Sequence, residues 1–197
     1  MRITEKVMSI LTGRECVDSL IGILTEASSD FADDHRRFQE AIKYFVGNHD
    51  ARVNPSVDDV VNAINRQAVS NWLFSGWLGF KANMDHFMDP IARTFLDVDN
   101  ETYLRERIGK TLPDYVLAQA IIDDFCRQLN PEQKHVFEDM ICYISHLETI
   151  VPKIAHYHGY LLGNELHRYM IPGYQPDARM TIQYSMALER VLNFELS

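Results

Sequence analysis

Apolar residues recur along this chain at spacings of three and four, the period of a helix face, and sustained apolar–polar alternation is missing. One stripe collects Val57, Val60, Val61, Ile64 and Ala68. A second collects Val136, Met140, Tyr143, Ile144, Leu147 and Ile150. The hairpin pairs Asn-Gly and Asp-Gly do not occur. Helix punctuation is plentiful instead. Ser56 and Asp59 stand in capping-box spacing behind Asn54-Pro55. Asp89-Pro90 and Asn130-Pro131 each place a capping side chain before a proline at the first helical position, and Gln133 follows Asn130 by three.

This punctuation predicts about eight or nine helices and no significant β-sheet. They cover residues 1–28, 30–46, 56–88, 90–96, 101–108, 113–129, 131–150, 151–170 and 176–194. The connections are short, so the expected fold is all-α, a compact multi-helix bundle. A single domain over 1–197 is expected, with a possible N-terminal half to residue 89 and a C-terminal half over 90–197.

The third helix changes character midway. Between Trp72 and Phe80 it is apolar nearly all round, through Trp72, Leu73, Phe74, Trp77, Leu78 and Phe80. Such a segment belongs in the centre of a bundle, which is the first expectation, or at a subunit interface. Trp72, Phe74, Trp77 and Phe80 are therefore the candidate interface. Ser75, Gly79 and Ala82 form a line of small residues beside them, and Gly159 and Gly163 form another near the C-terminus. A glycine inside a helix costs about 1 kcal/mol relative to alanine, so these positions need a reason. A close crossing of the two helices supplies one.

Composition narrows the function classes. The 197 residues are 46% hydrophobic and 24% charged, an ordinary globular balance. Asp and Glu number 28 against 19 Lys and Arg, a formal charge of -9, which argues against a nucleic-acid partner. Cys16, Cys126 and Cys142 are odd in number and contain no C-x-x-C, so neither a disulfide framework nor a zinc ribbon is expected. The apolar run after Arg2 and Lys6 is too short and polar for a signal-peptide core, and no run is long enough to span a membrane. A cytoplasmic protein with reduced thiols is the expectation.

Leu129, Glu132-Gln133 and Gly159-Tyr160-Leu161-Leu162-Gly163 carry a resemblance. Through them residues 129–170 resemble a helical hairpin of small uncharacterised bacterial proteins. The resemblance implies two helices joined by a turn in this stretch, and it implies no activity.

Chemistry-bearing motifs are few. Phosphate-binding glycine loops, H-E-x-x-H and paired Glu-x-x-His are all absent. Residues 97–101 begin like a calcium loop, but Thr102 stands where the turn needs glycine. His135, Asp139, Cys142 and His146 fall on one line of a helix. Their ends lie roughly 16 Å apart along the axis, so they cannot surround one ion. A solvated polar face accounts for them, and no metal is assigned. In the last stretch, Lys153, His156 and His167 fall on the polar side. His158 falls with Val151, Ala155, Leu162 and Tyr169 on the apolar stripe, and Glu165 lies at its edge. Polar groups on a core face must find partners or line a cavity. His158 and Glu165, with His86 and Asp85 near the end of the third helix, are therefore the candidate pocket.

These observations point to a non-enzymatic helical protein that acts through protein–protein contact or self-association, with no cofactor and no membrane. The alternative is a small-molecule-binding or metal-dependent enzyme with a polar pocket inside the bundle.

Overall fold

A computed structural model describes residues 13–48, 55–88, 109–173 and 175, with the backbone alone at Gly13, Ala27 and residues 84–88. The described residues form five α-helices and no strand. They are α1 (Gly13–Ala27), α2 (Ser29–Asn48), α3 (Val57–Met88), α4 (Pro113–Gln128) and α5 (Pro131–Met170). A 3-10 turn, Gly109–Thr111, leads into α4. The all-α bundle is as expected, and the six helices expected over the described residues are five. The expected helices over 90–96, 101–108 and 176–194 lie outside the described residues, as does the calcium-like stretch 97–101.

The remaining difference is a fusion. Residues 131–150 and 151–170 are two halves of one 40-residue helix, and the turn expected between them is not made. Pro152 sits inside that helix and cannot donate to the Glu148 carbonyl one turn back. Proline breaks a helix when nothing opposes it. Here Ile150, Val151, Pro152 and Ala155 are all buried, so packing on both sides of the proline holds the helix through it.

The helix starts follow the local chemistry. Ser28 separates α1 from α2 and caps the latter, its hydroxyl accepting from the Phe31 amide at 3.2 Å. Ser56 and Asp59 form the expected box. The Asp59 amide donates to Ser56 Oγ at 3.2 Å, and the Ser56 amide donates to Asp59 Oδ2 at 2.9 Å. Asn130 and Gln133 repeat it at α5, at 2.9 and 3.1 Å. The helix α4 starts without a side-chain cap, on Leu112 and Pro113.

The two long helices, α3 and α5, form the spine. The N-terminal half of α5 also packs on α2, and α4 lies against α3. Phe45 of α2, Phe125 of α4 and Phe137 of α5 meet in one aromatic knot, with centroids 5.3, 5.8 and 6.4 Å apart. Each such buried ring contributes on the order of 1.5–3 kcal/mol, and this knot ties three helices together. The predicted stripes are the core faces: Val57, Val60, Ile64 and Ala68 on α3, and Met140, Tyr143, Leu147 and Ile150 on α5, are all buried. Cys16 and Cys126 are half-buried, Cys142 is exposed, and all three are free thiols. No described helix is long and apolar enough to cross a membrane.

Candidate functional site

The predicted crossing of small residues exists, and it is the tightest feature of the fold. Gly76 and Gly79 of α3 meet Ala155, His156 and Gly159 of α5, and Asn83 of α3 meets Gly163. A Cβ added to Gly159 would stand 2.7 Å from the Gly76 carbonyl carbon, and one on Gly79 would stand 2.7 Å from that of His156. A Cβ on Gly163 would meet Asn83 Oδ1 at 2.6 Å. Real side chains do not approach so closely, so only glycine fits at these three positions. The α3 line therefore runs through Gly76, Gly79 and Asn83 rather than through Ser75, Gly79 and Ala82.

The seam around this crossing is polar. Ser75, Asn83, His156, Asn164 and His167 are all buried there. Asn83 Nδ2 donates to Asn164 Oδ1 at 2.8 Å, which joins the two helices one turn beyond the glycines. His156 is 6% exposed and His167 2%, and burial pushes the His167 imidazole below its ordinary value.

The faces of α5 expected from hydropathy are thereby exchanged over its C-terminal half. His156 and His167, expected on the polar side, are buried. His158, expected on the apolar stripe, is exposed and lies against the Trp72 ring, with centroids 5.6 Å apart. The stripe begins correctly at Val151 and Ala155 but ends at Tyr169, which is exposed. The physical reason is that this half of α5 packs through backbone contact and amide hydrogen bonding. Those groups score as polar. The small residues close the seam at Gly76 and Gly159 and leave no room for a ligand there. Glu165 is half-buried, and the side chains of Asp85 and His86 lie outside the described residues.

The four side chains of the polar line on the N-terminal half of α5 have separate surroundings. His135 is exposed and pairs with Glu138 at 3.0 Å, and Cys142 is exposed. His146 turns to α2, its Nδ1 2.8 Å from Asp34 Oδ2. Asp139 is half-buried. Among the described residues no group of three His, Cys, Asp or Glu could hold a metal ion.

The aromatic segment of α3 is divided between core and surface. Trp72 is 6% exposed, but Trp77 is 53% exposed and stacks on Phe74 with centroids 6.1 Å apart. Phe74 and Phe80 are half-buried. Full central burial, the first expectation for this stretch, is therefore corrected at Trp77.

A groove of about 680 Å³ lies beside this segment. Its floor is a stripe of α3 from Asn62 to Phe74. One wall carries Arg14 of α1, and another carries Leu112, Pro113 and Asp114 at the uncapped start of α4. The sequence did not single out this site. Its α3 residues recur at three and four, but they are mostly polar and half-exposed, so they look like an ordinary solvated face. Comparison with known protein families, with curated proteins and with solved structures finds no match to this chain.

Proposed function

We propose that this protein acts through protein contact, and that the contact is self-association through the aromatic face of α3. Trp77 carries the proposal. Over half of the largest side chain type is offered to solvent in the middle of the longest-but-one helix, already stacked on Phe74. Large aromatics in such positions are the usual anchors of interfaces, where they bury apolar area at low entropic cost. The half-buried Leu73, Phe74 and Phe80 extend the same face. A two-fold arrangement of two α3 helices would bury Trp77 of one copy against that of the other.

Sedimentation velocity tests this directly. The expected result is a concentration-dependent dimer for the native chain and a folded monomer for Trp77→Ser. A native chain that stays monomeric at about 100 μM, where even weak interfaces show, removes the proposal.

A further inference from the structure

We infer that the groove between α1, α3 and the start of α4 is a binding site for an amphipathic organic anion, an oxyanion head carrying an apolar tail. The α3 floor is graded along its length. Asn62, Asn65 and Arg66 line one end, Val69 and Ser70 the middle, and Leu73 and Phe74 the other end. From Asn62 to Phe74 the helix rises roughly 18 Å, the length of a head group with a medium alkyl chain. Its volume lies within the range of small-molecule sites.

The cationic groups at this groove stand out against the chain's net charge of -9. Arg14 and Arg66 both line it, and neither makes an ion pair among the described residues. A guanidinium presents a planar fork of donors that matches carboxylate or phosphate oxygens. Asn62 and Asn65 add amide donors beside Arg66. Ser70, 8% exposed as a residue, adds a hydroxyl to the middle of the groove. Asp114 also lines the groove and pairs with neither arginine. It excludes a second anionic group at its own position and so favours a single charged head.

The groove shares Leu73 and Phe74 with the proposed self-association face, but its cationic end is separate, because Arg66 lies eleven residues, roughly 16 Å of helix rise, from Trp77. Isothermal titration of the full chain tests it with octanoate and octyl phosphate as the two head groups. Octanol serves as the tail alone, and butyrate and inorganic phosphate as heads without the long tail. One-to-one binding of at least one octyl anion is expected, and the tighter of the two identifies the head. Octanol, butyrate and phosphate should each bind about tenfold more weakly or not at all. Arg66→Ala and Arg14→Ala should each weaken binding about tenfold, the scale of one charge-assisted hydrogen bond. Both arginines are exposed, so thermal unfolding of the variants should match that of the native chain. Absence of binding by both octyl anions overturns the inference. So does binding that survives both substitutions, or octanol binding as tightly as the anions.

Discussion

Gly159 of α5 lies directly against the Gly76 carbonyl of α3, at a distance that no side chain on Gly159 could share. Two backbones thus touch at the middle of the molecule's main helix pair, and their glycines set how closely α3 and α5 approach.

Substitution at this contact should be far more costly than elsewhere. Gly159→Ala must push two helices apart, and overpacking of this kind costs about 1–3 kcal/mol or more. Gly22 lies on the exposed side of α1 with open space where a Cβ would go. Gly22→Ala should therefore stabilise the protein by about 0.5–1 kcal/mol, through helix propensity. Urea unfolding of the two variants checks the contrast, and equal effects would show that the contact is loose.

The two tryptophans should behave differently. Trp72 is buried, so Trp72→Ala should cost about 3–5 kcal/mol as a large-to-small core change. Trp77 is half in solvent, so Trp77→Ala should cost no more than about 1 kcal/mol in the monomer. Chemical denaturation at low protein concentration separates these values from any effect of association.

Asn83 and Asn164 should be energetically coupled. Their buried bond joins two helices through residues that are 81 positions apart in sequence. In a double-mutant cycle with alanine at each position, a coupling of about 0.5–1.5 kcal/mol is expected. A coupling near zero would mean that the two amides find other partners equally well.

Stability should fall at both ends of the pH scale. Burial raises the Tyr115 and Tyr143 phenols above their ordinary value. The hydrogen bond and charge of Glu148 add to this at Tyr115, and the charge of Asp18 adds at Tyr143. A raised folded value favours the neutral phenol. Its contribution is complete below the unfolded value of about 10 and is lost as the pH climbs past it. Burial lowers His35, which lies between Phe38 and Tyr143 with centroids at 6.5 and 5.3 Å. A lowered folded value favours the neutral imidazole, so that contribution holds above the unfolded value of about 6.5 and is lost as the pH falls. Denaturant midpoints should drop between pH 9 and 11, less steeply in Tyr143→Phe. They should also drop between pH 6.5 and 5, less steeply in His35→Phe. Unchanged limbs in both variants would assign the pH dependence to other groups.

Local signals in the sequence determined most of the helices. The Ser56–Asp59 and Asn130–Gln133 boxes, Pro113, and the stripes through Val60 and Met140 all act within one or two turns. They read the same in the chain as in the fold. The spacing of glycines also foretold that α3 and α5 would cross closely. Tertiary structure decided the rest. Packing on both sides of Pro152 carried α5 through a residue that would end an isolated helix. The seam at Gly159 and Asn164 is held by backbone contact and amide bonding, so hydropathy assigned His156 and His158 to the wrong faces. The groove draws Arg14, Arg66 and Pro113 from three separate elements. No period along one helix can report such a site, because it exists only where distant segments are folded against one another.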